Sequence, residues 1–104
     1  MNLEQLSERA LVVHKKYAES NIEKFGREWT NSELAQGFVG DVGDLMKLVM
    51  AKEGIREIEN VDQKLAHELS DCLWSILVIA HKFDINLEKS FIQTMSELEV
   101  RFKQ

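Results

Sequence analysis

Apolar residues in this 104-residue chain recur at three- and four-residue steps, and no stretch alternates as a half-buried strand would. No proline interrupts them anywhere. Four helices account for the pattern. Leu3, Leu6, Ala10, Val13 and Tyr17 mark one face of the first, which ends near "EKFG", where Lys24 suits the negative helix end and Gly26 can take a left-handed cap. Thr30 and Glu33 form a T-x-x-E capping box, with Asn31 and Ser32 as competing caps, and open a second helix over about 32–53. Its stripe is Leu34, Phe38, Leu45 and Leu48, and Lys52 with Gly54 stops it. Asp62 is the expected cap of a third helix, about 62–82, which is apolar nearly all round between 72 and 80 and therefore the most buried of the set. Asn86 caps a fourth, whose inward stripe is Leu87, Phe91, Leu98 and Phe102. Short loops between four helices predict a mostly antiparallel four-helix bundle, a single all-α domain over 1–104.

Charge and cysteine usage narrow the function. The net charge of −5, with acids and bases interleaved, argues against a protein that engages nucleic-acid polymers through a basic field. The one cysteine, Cys72, rules out an internal disulfide and a cysteine-based zinc site, and it reads as a small core residue. The first ten residues, "MNLEQLSERA", are charged. The longest apolar run, "CLWSILVIA", is about half the ~20 residues that span a bilayer. A soluble, cytoplasmic chain with no membrane partner is the expectation.

The second helix contains a stretch that its own chemistry disfavours. "GFVGDVGDL", residues 37–45, carries three glycines, each costing about 1 kcal/mol relative to alanine in a helix interior. Position 41 falls on the apolar stripe, yet it is Asp41, and Asp44 follows one turn later. The third helix repeats the spacing with Glu68 and Asp71, directly before its apolar run. Burying an ion costs several kcal/mol, against a net stability of only ~5–15 kcal/mol for a domain. Four converging carboxylates therefore need protonation, pairing with bases, or divalent cations. Lys47, at i+3 from Asp44, and Lys64, at i−4 from Glu68, are the nearby bases. An oxygen-only ligand set suits Mg²⁺ or Mn²⁺. A di-iron bundle would use Glu-x-x-His pairs, and none of His14, His67 and His81 follows a glutamate by three residues. The plain alternatives are a solvated acidic helix face and, for the glycines, close helix packing.

Asp41-x-x-Asp44, 23 intervening residues, then Glu68-x-x-Asp71 resembles the paired E-x-x-E and E-x-x-D motifs of the MazG-like all-α nucleoside triphosphate pyrophosphohydrolases. "GDVGDL" is similar to that family's frequent "GEVGEL", "KLAHELSDCLWSILVIA" to its "ELADVLW" helix, and "FDINLEKSF" to the segment that opens its last helix; together they cover roughly residues 25–102. The resemblance implies a helical-bundle dimer or tetramer that uses Mg²⁺ to hydrolyse nucleoside or deoxynucleoside triphosphates to the monophosphate and pyrophosphate. This is often a house-cleaning activity. Carried over by position, Asp41, Asp44, Glu68 and Asp71 become metal ligands, with Glu68 and Asp71 closest to the chemistry. Arg101 matches a basic position used on phosphate, with a solvated surface arginine as its alternative. Lys47 either neutralises phosphate or pairs with Asp44. Trp29 either stacks on a base or staples the start of the second helix, and Trp74 reads as core.

Two departures stand out. Both glutamates of the first pair are aspartates, each shorter by about 1.5 Å at most, and Gly40 stands where many members carry another glutamate. They favour a rival expectation, a non-catalytic metal-binding helical module with a regulatory or scaffolding role.

Overall fold

A computed structural model describes residues 1–103, which form four helices: α1 (Leu3–Phe25), α2 (Asn31–Lys52), α3 (Val61–Lys82) and α4 (Leu87–Lys103). Among the described residues there is no strand. Most helix ends follow from local chemistry. Asn2 and Gln5 close a reciprocal capping box on α1, and Gly26 ends that helix at φ 78°, its N–H donating to the Ile22 carbonyl. The expected Thr30–Glu33 box opens α2. Gly54, at φ 82°, follows α2 and lets the Ile55 N–H reach back to the Met50 carbonyl. Asn86 Oδ1 accepts from the Lys89 N–H at the start of α4.

The start of α3 departs from expectation. Asp62 does not cap it; Asn60 occupies that position in the left-handed region, with no side-chain cap bond. Asp62 lies inside the first turn and is held 2.6 Å from Lys52 Nζ at the end of α2. A lysine across the hairpin competes for the carboxylate that would otherwise fold back on its own backbone.

α2 and α3 pack most closely and run antiparallel, as the Lys52–Asp62 pair and the meeting of Asp44 with Glu68 show. α1 lies against α3, tied by the Trp74 Nε1–H donating to the Ala10 carbonyl at 3.0 Å. The core is small: Ala10, Leu34, Leu77 and the fully enclosed Val78, with Leu3, Trp74 and Leu87 packed on it. As expected, α3 supplies most of the buried positions.

Two stripes differ from their sequence reading. On α1 the inward residues are Leu3, Ser7, Ala10, His14, Ala18 and Asn21, while Leu6, Val13 and Tyr17 are exposed. The inward face is thus turned by about one residue, and it carries polar groups. On α4 the expected inward stripe is not inward: Phe91, Leu98 and Phe102 are exposed, and among the described residues none of α4 is buried. Only Leu87, in its first turn, reaches the core. The radius of gyration is 16.6 Å, against about 13 Å for a compact chain of this length. No helix among the described residues is long and apolar enough to cross a membrane.

Candidate metal centre

The α2–α3 hairpin positions the acidic residues. Asp41 and Asp44, one turn apart on α2, face Glu68 on α3, and one carboxylate oxygen from each lies within 4.8 Å of the others. Asp41 and Glu68 are half-buried, whereas Asp44 is open to solvent. Glu68 Oε2 is buried and has no hydrogen-bond partner among the described residues. A buried, unpaired carboxylate oxygen forfeits its hydration without replacement, and Glu68 shows the consequence. Burial, then the charges of Asp41, Asp71 and Asp44, push its pKa up. Asp41 is raised in the same way, by burial, Asp71 and Asp44. Burial also raises the Cys72 thiol, followed by the charges of Asp41, Glu68 and Asp71.

Asp71 is the member of the expected four that this cluster does not include. Its Oδ2 lies 3.2 Å from His67 Nε2, one turn away on the same helix. The i,i+3 spacing of Glu68 and Asp71 puts them on neighbouring parts of one face, and Asp71 stays near enough for its charge to raise both Asp41 and Glu68 while His67, at i−4, engages one of its oxygens. Among the bases, Lys47 Nζ stands 4.0 Å from Asp44 Oδ1 with both side chains largely exposed, a contact that neutralises little of the cluster. No lysine or arginine among the described residues forms an ion pair with Asp41 or Glu68.

The cluster stands between two cavities. One, of about 360 Å³, is bordered by Asp44, Lys47, Lys64, His67 and Glu68. The other, about 620 Å³, opens towards α1 and is bordered by Asp41 and Asp71 on one side and by Trp29, Trp74, Tyr17 and His14 on the other. Tyr17 meets Trp74 edge-on with ring centroids 5.7 Å apart, and the His14 ring lies 6.4 Å from the same indole. Burial is the first cause of a lowered His14 pKa, followed by the positive charge of Lys82, so the imidazole is held towards its neutral form. Asn21 adds an amide to the same wall.

Trp29 is placed by the loop that carries it. Arg27 grips both oxygens of Glu33 at 2.7 and 3.0 Å, and the Thr30–Glu33 box fixes the following turn. The guanidinium of Arg27 and the Thr30 N–H hold the Glu33 carboxyl down to about 2. Trp29 then lies over Gly37, where a Cβ would sit only 3.3 Å from the ring. Close packing therefore explains Gly37. It does not explain Gly40 and Gly43, where a Cβ would meet nothing within 4 Å and the helix beside the two aspartates stays bare.

Arg101 is not brought to the site. It lies exposed in the last turn of α4 and borders neither cavity beside the carboxylates. Conversely, the sequence does not single out His14 and Asn21 as wall residues, and it gives Tyr17 only as part of the apolar face of α1. The available signal is the i, i+3, i+7 spacing of 14, 17 and 21. No family model, curated protein or solved structure matches the chain.

Proposed function

We propose that the protein is a Mg²⁺-dependent nucleoside or deoxynucleoside triphosphate pyrophosphohydrolase of MazG-like type, working as a homo-oligomer, dimer or tetramer, in nucleotide-pool house-cleaning. The observation that carries this reading is the orphaned Glu68 oxygen inside a three-carboxylate cluster drawn from two helices. A hard divalent cation answers that arrangement directly, since it supplies positive charge to a donor set made of oxygen alone. Mn²⁺ has the same ligand preference and would substitute.

Asp41, Asp44 and Glu68 are the residues that would hold the ion, with Asp71 at the edge of the cluster. When bound, Mg²⁺ supplies neutralisation of phosphate oxygens and a lowered pKa for an attacking water. The chain's own groups do the rest. Asp71, at that edge and beside His67, is the candidate acceptor for the proton released from that water. Lys47, on the smaller cavity, offers positive charge to phosphate oxygens. The aromatic cavity favours a nucleotide over a simple phosphate ester, because Trp29, Trp74 and Tyr17 line it and supply apolar ring surface against which a base can pack.

A second reading, a metal-binding helical module without turnover, draws on the two shortened acids at 41 and 44 and on the distance of Arg101 from the cluster. One experiment separates the two. The protein is incubated with a panel of canonical and modified dNTPs and NTPs plus Mg²⁺, and pyrophosphate release is followed with an EDTA control. Release abolished by EDTA and by Glu68→Ala is the outcome expected of the enzyme. Thermal stabilisation by Mg²⁺ without pyrophosphate release would leave the binding module. Neither response would return the cluster to a plain packing feature.

A further inference from the structure

We propose that the aromatic cavity reads the edge of a base and selects bases with an exocyclic amino group, cytosine and adenine, over their keto counterparts, uracil and hypoxanthine. The inference rests on the nucleotide reading above and adds which nucleotides are taken. Ser75 supplies its first observation. This residue is 5% exposed, the one buried polar residue among those described, and it borders the cavity. Ser70 and Ser96 turn their hydroxyls back onto the carbonyls of Ala66 and Ile92, each at 2.9 Å. The Ser75 hydroxyl makes no such bond, and none to any other described residue. It is not sealed off either, since among the described residues that condition falls to Glu68 Oε2. A buried hydroxyl that commits neither its donor nor its acceptor to the fold leaves both to whatever occupies the cavity.

The charges around the cavity decide which base edge fits. Glu28, Asp41 and Asp71 border it, and no lysine or arginine does. Arg27, next to Glu28 in the chain, is committed elsewhere: its guanidinium donates to both Glu33 oxygens and to the Glu28 carbonyl. Lys82 reaches His14 through its charge without bordering the cavity. Asp41 and Asp71 stand on the side of the carboxylate cluster. Glu28, in the loop that carries Trp29, is the acid of the aromatic side, and it forms no ion pair among the described residues. An ionised carboxylate accepts hydrogen bonds and donates none. It therefore suits the amino group of cytosine, and an asparagine amide suits the amino group and N7 of adenine; Asn21 borders the same cavity. A keto base would turn a carbonyl oxygen towards Glu28, two acceptors with no proton between them. His14, Asn21 and Ser75, as uncharged groups, can each donate or accept and so hold either kind of base. The discrimination comes from Glu28.

The test uses the whole chain in metal-free buffer at neutral pH, with deoxycytidine, deoxyuridine, deoxyadenosine and deoxyinosine as probes. Binding is followed by NMR titration through the indole N–H signals of Trp29 and Trp74. Deoxycytidine should bind about tenfold more tightly than deoxyuridine, and deoxyadenosine about tenfold more tightly than deoxyinosine. Glu28→Gln, whose amide can donate to a carbonyl, should bring each pair to within about twofold. Ser75→Ala should weaken all four probes by about threefold or more while keeping the far-UV helical signal. No indole shift with any probe overturns the inference. So do equal affinities within each pair, a preference for the keto base, a preference that survives Glu28→Gln, or a folded Ser75→Ala with unchanged affinities. Glu28 is exposed on a loop, so its variant decides if Ser75→Ala loses helicity. Because the probes carry no phosphate, the two readings fail separately. Amino-selective binding without pyrophosphate release from any triphosphate would sink the hydrolase and support this inference, and release without base selection would do the reverse.

Discussion

The α2–α3 hairpin and α4 both carry apolar residues at helical spacing, and the molecule uses them in opposite ways. α3 encloses Cys72, Leu77, Val78 and Ala80. α4 leaves Phe91 and Phe102 open to solvent, Phe102 at 84% exposure. Period alone does not separate these cases, because an amphipathic stripe states that a helix has a partner without stating in which chain. What separates them is the width of the stripe. α3 is apolar over most of its circumference and is gripped from two sides by α1 and α2. α4 offers one narrow row and meets the rest of the chain at Leu87.

Leu77→Ala should give the largest contrast. Leu77 is 5% exposed, and its truncation should cost about 2–5 kcal/mol of unfolding free energy. Phe102→Ala, measured in urea at concentrations where the chain is monomeric, should change stability by less than about 0.5 kcal/mol. A Phe102→Ala cost comparable to that of Leu77→Ala would place α4 in the cooperative core and end the comparison.

Helix caps sharpen it further. Thr30→Ala removes the α2 capping box and should lower global stability by about 1 kcal/mol. Asn86→Ala removes the equivalent bond on α4, and there the loss should stay local. Both tryptophans, Trp29 and Trp74, lie in the part formed by α1–α3, so fluorescence reports that part while far-UV circular dichroism reports all four helices. Asn86→Ala should reduce the dichroism without moving the fluorescence midpoint. Coincident shifts in both signals would mean that α4 unfolds with the hairpin.

The smallest effect is one of pH. Asp41 and Glu68 have raised pKa values in the folded chain. A raised carboxyl contributes stability that is complete below its unfolded value, about 4, and is lost as pH rises through the folded value. In metal-free buffer the fluorescence midpoint should therefore rise as pH falls from neutrality towards that range. Glu33, depressed to about 2, acts in the opposite sense but only at more acid pH, where its contribution disappears as pH falls through the folded value. Glu68→Gln should flatten the neutral-to-acid slope, and saturating Mg²⁺ should do the same. A slope unaffected by Glu68→Gln would mean that the cluster is not its source.

The features legible in the sequence were those decided within a turn or two of chain. Gly26, the Thr30–Glu33 box and Asn86 punctuate the helices as their side-chain chemistry dictates, and α3 takes the buried role that its composition demands. Asp41 was conspicuous as a carboxylate on an apolar stripe, and Asp44 and Glu68 indeed meet it. The departures lie where a distant or competing partner decides the outcome. Asp62 pairs across the hairpin with Lys52, and the inward face of α1 rotates to present His14 and Asn21 to a cavity that α2 and α3 complete. A helical wheel drawn for one segment contains none of those partners.

The contact between Trp29 and Gly37 has one more consequence. The indole rests on bare backbone, so its depth is governed by a methyl group that is missing. Gly37→Ala would push the Trp29 ring outward by a few tenths of an ångström and so reshape one wall of the aromatic chamber. The shape of that wall is thus set at the position where the chain offers no side chain at all.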